Sequence, residues 1–388
     1  MTRKTLYFGE PNLGKDEEAA LQRVLRSKWI GFGKESALLE GELTEYVGAK
    51  HGVIVSSCTA ALHLALILEG VGKGDEVITT ALTFAATANA ILYTGATPVF
   101  ADIDPKTLNI DPVSIERVIT KKTKGIMLVH FGGLPCDMKK INALAKRRGL
   151  FVIEDAAHAI GARSLGAQVG SGKNIACFSF YPNKNLTTVE GGFMTVPDRK
   201  KAERAKHLRL HGLESDAWKR WHDRKILTSV VTELGYKYNT TDVNSAIGRV
   251  QLKKLDRGQR KRESYAALYD RVLAGIEGVT LQPKPVGKET RHALHLYTIV
   301  IDPKRFRLSR DEIVLALRGK GIFAVVHYEP LHLHPFYRKV TGVRAADVPY
   351  ADRAGKNILT LPLLPQFSKK DAMRVAVAAR DVLMTAQK

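Results

Sequence analysis

Short apolar runs alternate with amphipathic stretches along the chain before residue 255. The runs are rich in valine and isoleucine, which favours strands. They cover residues 51–57, 74–79, 96–102, 125–130 and 150–155. Helical spacing of apolar residues occurs before and between them, over 15–27, 36–47, 57–68, 84–92, 113–120 and 138–146. This alternation of strand and helix predicts an α/β fold with a mostly parallel central sheet.

The pattern changes near Asp256. An amphipathic helix is predicted over 243–255, and a long charged helix over 257–275. A strand over 294–301 and a helix over 309–320 follow. Single cores stop growing near roughly 250–300 residues. We therefore expect a large α/β domain, residues 1–255, and a smaller α/β domain, residues 256–388.

Composition places the chain among globular proteins, with 388 residues of which 45% are hydrophobic. The basic start has no apolar run, so no secretory signal is expected. The longest uncharged stretch, 81–101, contains Gly95 and Pro98 and reads as a buried helix and strand rather than a membrane span. The three cysteines lie in apolar segments without disulfide or metal spacing. We expect a cytoplasmic protein without a membrane span.

The charge balance favours anionic partners, because 60 Lys and Arg residues face 39 Asp and Glu residues for a net charge of +21. The basic residues are spread over many segments and do not form one stripe with aromatic residues, so nucleic acid is not expected as a partner. A small phosphorylated or nucleotide-bearing substrate fits better. His327, His332 and His334 have no carboxylate or cysteine at ligand spacing, and no metal site is expected.

Residues 175–196 read as strand, loop and strand, with one lysine, Lys184, in the loop. The first strand alternates, so that Ser179 points away from the face of Phe178, and the strand stops at Pro182. Ligands of open α/β sheets bind beyond the carboxyl ends of strands. A lysine held there can lose water and act as a neutral amine or form a Schiff base. The alternative is a solvated loop lysine, which is common in so basic a chain.

Three upstream features fit the same chemistry. The turn at 57–60 presents free amides at a helix start, where Ser57 either caps the helix or helps to bind phosphate. Phe84 begins another helix and could lie over a planar cofactor or pack in the core. Asp155 ends a buried strand, where a carboxylate needs a cation such as a protonated pyridine nitrogen. A helix-capping role for Asp155, and Glu154 as its rival, stay open here.

Together these residues supply the roles that a pyridoxal phosphate (PLP) enzyme needs. They also resemble, in several long motifs, the sugar aminotransferases of the DegT/DnrJ/EryC1/StrS type, which have the aspartate aminotransferase fold (PLP fold type I). The motifs are 29–31, 57–63, 83–84, 153–159, 178–180, 184–186, 190–192, 235–239, 327–328 and 361–363. The resemblance therefore covers nearly the whole chain.

The resemblance implies that Lys184 forms the Schiff base with PLP and carries the proton, that Asp155 holds the ring nitrogen and that Phe84 stacks on the ring. It places His158 near the phenolic oxygen. It assigns phosphate binding to Ser57, Cys58, Thr59 and Ser179. Lys237 would reach the cofactor of a neighbouring subunit, which implies a homodimer with shared active sites. The segments that would line the sugar site contain Lys28, Trp29, Ile30, Gly31, His327, Tyr328, Glu329 and Pro330.

Four positions depart from the usual pattern of that family. Cys58 and Val189 stand where glycine is common, Lys237 where asparagine is frequent, and His158 where glutamine is frequent. A negative φ would make Cys58 tolerable. Val189 leaves the conformation of the loop after Lys184 open.

Residues 235–239 and 216–221 resemble the subgroup that aminates C4 of UDP-4-keto sugars, as in the aminoarabinose branch. The implied reaction moves an amino group from L-glutamate to the C4 keto carbon of a UDP-linked sugar. The alternative is a C3 aminotransferase that acts on a dTDP-3-keto-6-deoxy sugar.

Three other functions compete with transamination. A dehydratase branch of the same fold has histidine in place of the Schiff-base lysine, and Lys184 argues against it. A basic binding protein could use the fold to recruit nucleotides or nucleic acid without catalysis. A related enzyme could instead eliminate a group from a free amino acid, with no sugar acceptor.

Overall fold

In the computed structural model, which describes residues 4–214, 228–285 and 289–388, most apolar runs of the first part of the chain form one seven-stranded sheet. Its strands are β1 (His51–Val55), β2 (Glu76–Thr80), β3 (Thr97–Ala101), β4 (Thr123–Val129), β5 (Phe151–Asp155), β8 (Ile175–Ser179) and β9 (Gly192–Val196), while β6 (Arg163–Ser164) and β7 (Ala167–Gln168) form a separate hairpin.

The sheet order is β1-β9-β8-β5-β4-β2-β3. The strands from β8 to β3 in this order run parallel to their neighbours. Strand β9 runs antiparallel to both β8 and β1. This is the mostly parallel sheet that the sequence predicts. Because the parallel strands end at the same edge, the loops that follow β5 and β8 meet there.

Helices connect and cover these strands. They are α1 (Lys15–Ser27), α2 (Lys34–Val47), α3 (Cys58–Leu68), α4 (Ala85–Tyr93), α5 (Pro112–Val118), α6 (Met138–Arg148) and α7 (Arg199–Leu208). Local chemistry sets their ends: Asp137 caps α6 by accepting from the amide of Lys140, and Gly149 ends it at φ 66°. Residues 81–101 form α4 and β3, and no helix of the described ranges is long and apolar enough to cross a membrane.

One helix, α8 (Asp242–Leu273), replaces the two helices predicted over 243–255 and 257–275. The predicted break at 256 is wrong because the helix continues through Gly258. A glycine inside a helix costs only about 1 kcal/mol. The helix is buried on both sides of Gly258, at Leu255, Gln259 and Arg262, so packing holds the helix together.

The later residues form a three-stranded antiparallel sheet with helices around it. Its elements are β10 (Val279–Thr280), β11 (Tyr297–Ile301), α9 (Arg310–Gly319), α10 (Pro335–Thr341), α11 (Pro349–Asn357), β12 (Ile358–Leu361) and α12 (Lys369–Ala386). The strand predicted over 294–301 begins later, at Tyr297, because Leu294 has φ 49°, outside the strand conformation.

The division at residue 255 remains a prediction. Helix α8 crosses it, packing against α1 and α2 at one end and α12 at the other. One apolar cluster also joins residues from both sides, including Ala81 and Leu82 with Leu331 and Ile358. The polar excursion predicted over 212–229, with Trp218 and Trp221, lies largely outside the described residues.

Candidate active site

Lys184 lies in the turn between β8 and β9. Phe178 and Phe180 are fully buried, and the opposite face of the strand carries Ser179 and Tyr181 into the wall of a cavity of about 280 Å³. The amide of Lys184 donates to the carbonyl of Tyr181 at 2.9 Å, which closes the turn. The predicted alternation of this strand is confirmed, and it places Lys184 at the cavity.

The cavity brings together most of the residues that the sequence singles out. Its wall contains Ser57, Cys58, Thr59, Phe84, Asp155, His158, Ser179, Lys184, His327 and Tyr328. These residues come from the loops after β1, β2, β5 and β8 and from the segment before β12. The topology of the sheet therefore collects residues that are far apart in sequence.

The amine of Lys184 is held in a form that favours nucleophilic chemistry. Burial lowers the pKa of Lys184 to about 8, although the nearby groups of Cys58 and Asp155 act in the opposite direction. Its Nζ lies 3.5 Å from Nε2 of His295. At pH 8 about half of the lysine is therefore a neutral amine, which is the form that attacks a carbonyl.

Asp155, and not Glu154, faces the cavity. Glu154 points to the other side, where its Oε2 lies 3.0 Å from Nε2 of His130 and its Oε1 accepts from Asn174. Asp155 Oδ2 accepts from Thr87 Oγ1 at 2.8 Å, and burial raises the pKa of Asp155. It forms no ion pair with any residue in the described ranges. Among the described residues, this buried carboxylate therefore has no ion-pair contact, although the charge of Lys184 acts on it.

The start of α3 forms the opposite end of the cavity. Ser57 caps the helix by accepting from the amide of Ala60, so its capping role is real, and the helix start also faces the cavity. A Cβ atom on Gly192 would clash with the carbonyl group of Ser57, so only glycine allows β9 to approach this turn. Cys58 is the first residue of α3 and has no positive φ, which satisfies the condition for a side chain there.

Phe84 immediately precedes α4 and is 61% exposed, although it lies in the cavity wall. Core packing, the alternative left open by the sequence, is thus wrong for this ring. Its centroid lies 6.0 Å from that of Tyr328. An aromatic face is therefore available to a planar ligand.

His158 is buried and hydrogen-bonded at both ring nitrogens. The amide of Gly132 donates to its Nδ1 at 3.2 Å, and its Nε2 lies 3.0 Å from the hydroxyl of Tyr328. Burial lowers the pKa of His158 well below its usual value, with Lys184 adding to the effect. Because Nδ1 accepts, the single proton of the neutral ring sits on Nε2 and is donated to the Tyr328 oxygen.

Two residues of the site were missed from the sequence. Thr87 stands one turn after Phe84 on α4 and donates to Asp155. His295 was placed within a predicted strand, but it precedes β11, and its ring centroid lies 4.5 Å from that of His158. A histidine inside an apolar run was the available signal for His295. Nothing in the local pattern distinguished Thr87 from other helix threonines.

Other predicted site residues lie outside this cavity wall in the single chain. Lys237 is exposed beside Tyr238, whose carbonyl accepts from the amide of Ser56. Residues 28–31 lie near the start of α8, where the carbonyl of Gly31 accepts from the amide of Asp242. Glu329 and Pro330 follow Tyr328 and point elsewhere, with the carboxylate of Glu329 3.9 Å from Arg310.

The histidines considered for metal binding have other partners. Nε2 of His332 lies 3.2 Å from the carboxylate of Asp352, and Nδ1 of His327 lies 3.0 Å from the hydroxyl of Thr360. In the parts of the chain that the structure describes, no group of three or more histidine, cysteine or acidic side chains could hold a metal ion.

The chemistry of these groups fits PLP. The buried carboxylate of Asp155 needs a cation, which the protonated pyridine nitrogen of PLP supplies. The exposed ring of Phe84 offers a stacking face, and the start of α3 offers amides to a phosphate. Lys184 offers the amine for attachment. When bound there, PLP supplies an electron sink for amino acid chemistry.

Comparison with known proteins agrees with this geometry. Residues 11–380 match the profile of the DegT/DnrJ/EryC1/StrS aminotransferase family. The spore coat polysaccharide biosynthesis protein SpsC of Bacillus subtilis is 44% identical over 379 residues, 97% of each chain.

Two solved structures are similar over nearly their whole length. PseC of Helicobacter pylori, an aminotransferase involved in the biosynthesis of pseudoaminic acid, is 30% identical with a TM-score of 0.90 and covers 98% of this chain and 100% of its own. The PLP form of Spr1654 from Streptococcus pneumoniae is 28% identical with a TM-score of 0.91 and covers 99% and 100%. The predicted aspartate-aminotransferase-like fold is confirmed.

Proposed function

This chain belongs to the DegT/DnrJ/EryC1/StrS aminotransferase family of PLP-dependent sugar aminotransferases, and we propose that it transfers an amino group from L-glutamate to the C4 keto carbon of a UDP-linked sugar. The observation that carries the proposal is the placement of Lys184 and Asp155 in one cavity. One residue supplies an amine with a lowered pKa, and the other a buried carboxylate with no ion-pair contact among the described residues.

We assign the proton transfer to Nζ of Lys184. With its pKa near 8, this amine can accept a proton from the reacting carbon of the amino donor. It can also return a proton to the reacting carbon of the sugar that receives the amino group, at neutral pH. His295, 3.5 Å away, is neutral because burial and the charge of Lys184 lower its pKa well below the usual value. A neutral imidazole can hold the ammonium form of Lys184 by accepting from it.

Asp155 and Phe84 orient the cofactor in this proposal. Burial raises the pKa of Asp155, and the donors Thr87 Oγ1 and Ala157 N oppose that effect; in the proposal the carboxylate pairs with the ring nitrogen. Phe84 covers one face of the ring. His158 and Tyr328 form a hydrogen-bonded pair in the same wall, and we place His158 beside the phenolic oxygen.

The sugar substrate is proposed from charge and resemblance. The net charge of +21 favours an acidic nucleotide diphosphate. Residues 235–239 and 216–221 resemble the UDP-4-keto sugar subgroup, although the second segment lies outside the described residues. His327 and Tyr328 lie in the cavity wall, where a sugar can reach Lys184. SpsC carries the name of a polysaccharide biosynthesis protein, and we propose that this product also enters a polysaccharide.

We further propose a homodimer with shared active sites. The segment 28–31 and Lys237 lie outside the cavity of their own chain, and a second copy would allow them to reach a neighbouring cavity. Cytoplasmic location is proposed because Cys58, Cys136 and Cys177 are all unpaired and buried.

The test measures amino transfer by the purified protein loaded with PLP. UDP-4-keto and dTDP-3-keto sugars are offered separately with L-glutamate, and the amino sugar is detected by mass spectrometry. We expect an amino sugar from the UDP-4-keto substrate and none from Lys184→Ala, which also loses the visible absorbance of bound PLP. Lys200→Ala, at an exposed lysine, is the matched control and retains activity.

Each other outcome contradicts a defined part of the proposal. Product from the dTDP-3-keto sugar alone would replace the proposed substrate by the C3 alternative. Activity that survives in Lys184→Ala would overturn the assignment of the nucleophile. A dependence on another amino acid would replace L-glutamate as the donor.

A further inference from the structure

A second cavity, of about 150 Å³, adjoins the loop that carries Lys184. Asn183 and Lys184 belong to the walls of both cavities. The wall also contains two further residues of that loop, Asn185 and Thr187, together with residues of helix α8 and of two loops, one near each end of the chain. We name this space the α8 cavity.

Arg262 is a buried cation in the wall of the α8 cavity, and it forms no salt bridge with any residue that the structure describes. It is 4% exposed, and its Nη1 is buried and has no hydrogen-bond partner among the described residues. Burial lowers the pKa of Arg262 to about 10, so it keeps its charge at neutral pH. A buried charge is stable only when it is paired and hydrogen-bonded. An anionic ligand would therefore satisfy this guanidinium.

The other charged groups of the wall do not supply that anion. Lys254 is already paired with Glu17 at 2.8 Å, and Lys261 donates to the carbonyl of Pro365 at 2.9 Å. Arg257 adds another positive charge. Among the described residues that line the cavity, Glu10 is the one with an acidic side chain. The cavity thus carries an excess of positive charge.

Two hydrogen-bond acceptors in the wall also have no donor in the part of the chain that the structure describes. They are the buried amide oxygens of Asn183 and Gln366. A bare anion would satisfy Arg262 but not these oxygens. An oxyanion that also carries a hydroxyl group satisfies both, and hydrogen phosphate has this combination. About 10–15 Å³ of such space is enough for one water molecule, and the α8 cavity has about 150 Å³, so a phosphate group can enter it.

We propose that the α8 cavity binds a phosphate group, with Arg262 as its main ligand. The guanidinium donates to the phosphate oxygens, as the fork geometry of arginine favours. The phosphate hydroxyl donates to the amide oxygens of Asn183 or Gln366. Lys261 and Arg257 lie at the exposed rim and attract the anion. This site is separate from the phosphate end of the active site at Ser57.

A phosphate bound to Arg262 lies beside the loop that carries Lys184, because Asn183 and Lys184 line both cavities. The α8 cavity is therefore next to the candidate active site and distinct from it.

The test is isothermal titration of the PLP-loaded protein, in which the active-site phosphate position is already filled. Inorganic phosphate and glycerol phosphate are titrated separately into wild type and Arg262→Gln. We expect one site per chain, with a dissociation constant that rises about tenfold to a hundredfold in Arg262→Gln. Arg260→Gln, at an exposed position of the same helix outside the cavity wall, is the matched control and binds as wild type does.

A second variant covers the case in which Arg262→Gln fails to fold. The double variant Arg257→Gln/Lys261→Gln changes exposed rim residues and is expected to weaken binding severalfold. Binding of free phosphate alone identifies the inorganic ion as the ligand, and equal binding of glycerol phosphate identifies the phosphate of a larger molecule. No binding to wild type, or equal binding by wild type and both variants, overturns the proposal. Neither result depends on the amino transfer assay.

Discussion

Nζ of Lys184 lies 3.5 Å from Nε2 of His295, a residue that is distant in sequence and belongs to the segment before β11. This contact pairs an amine of lowered pKa with a neutral imidazole. With Nε2 unprotonated, the imidazole accepts a hydrogen bond from Lys184, and this bond is stronger when the donor is the charged ammonium form. It therefore stabilises the protonated lysine.

Replacing His295 by leucine tests this relationship. His295→Leu keeps the site apolar and removes the acceptor, so the pKa of Lys184 should fall below about 8, by up to about one pH unit. The measurement is the rate at which PLP attaches to the protein without cofactor as a function of pH. His334→Leu, at a histidine outside the cavity wall, should leave the pH profile unchanged. A higher apparent pKa in His295→Leu would contradict the role.

Thr87 is expected to keep Asp155 ionised. Removing its hydroxyl in Thr87→Val takes a donor from the carboxylate, so the already raised pKa of Asp155 should rise further. In the role proposed for Asp155, a less charged carboxylate holds the ring nitrogen poorly, and kcat should fall about tenfold. The check is the rate of the L-glutamate half-reaction measured by absorbance.

Two variants separate this effect from simple loss of packing. Thr87→Ser restores the hydroxyl and should recover most of kcat. Thr83→Val removes the hydroxyl that lies 2.8 Å from that of Thr87 and leaves the contact with Asp155 intact. If Thr87→Ser were as slow as Thr87→Val, the hydrogen bond would not be the cause.

Val189 adopts φ 72°, in the loop between Lys184 and β9. A β-branched residue is strained there, whereas glycine is not. Val189 is 46% exposed, so little apolar contact is lost on truncation. Val189→Gly should therefore raise the free energy of unfolding by about 1 kcal/mol, even though glycine gains entropy in the unfolded chain. Urea denaturation measures the change.

The control variant is expected to change the free energy of unfolding in the opposite direction. Val113 is 56% exposed in α5, where the backbone is helical, and Val113→Gly should lower the free energy of unfolding by a few tenths of a kcal/mol. A decrease for both valines would show that the positive φ of Val189 carries no cost.

Acid should destabilise the protein through His292. Burial lowers its pKa to about 3 in the folded state, and its Nδ1 accepts from the amide of Leu294. The unfolded chain has a histidine pKa near 6.5 and binds the proton first. The contribution of neutral His292 to the free energy of unfolding is therefore fully present above about pH 6.5. It is lost at about 1.4 kcal/mol per pH unit as pH falls towards 3.

The measurement compares the free energy of unfolding of wild type and His292→Gln between pH 7 and pH 4. The variant should be less stable at pH 7 and should show a shallower fall with acid, because glutamine does not titrate. Parallel curves for the two proteins would mean that His292 is not buried in the neutral form.

The sequence determined the fold class and the principal chemistry, because both depend on local patterns. Apolar runs that alternate with amphipathic stretches specify a mostly parallel sheet. The ends of those strands identified Lys184 and Asp155, and the small residues at 57–60 identified the helix start.

The orientation of Asp155, the presence of further side chains in the site and the length of α8 follow only from the tertiary structure. Asp155 and Glu154 are adjacent, and only the strand's place in the sheet shows which one faces the cavity. His295 and Thr87 belong to the site because separate elements bring them to Lys184 and Asp155. Helix α8 continues through Gly258 because its buried face holds it, which local propensity did not predict. Contacts between residues distant in sequence have no local signal, so only the folded chain reveals them.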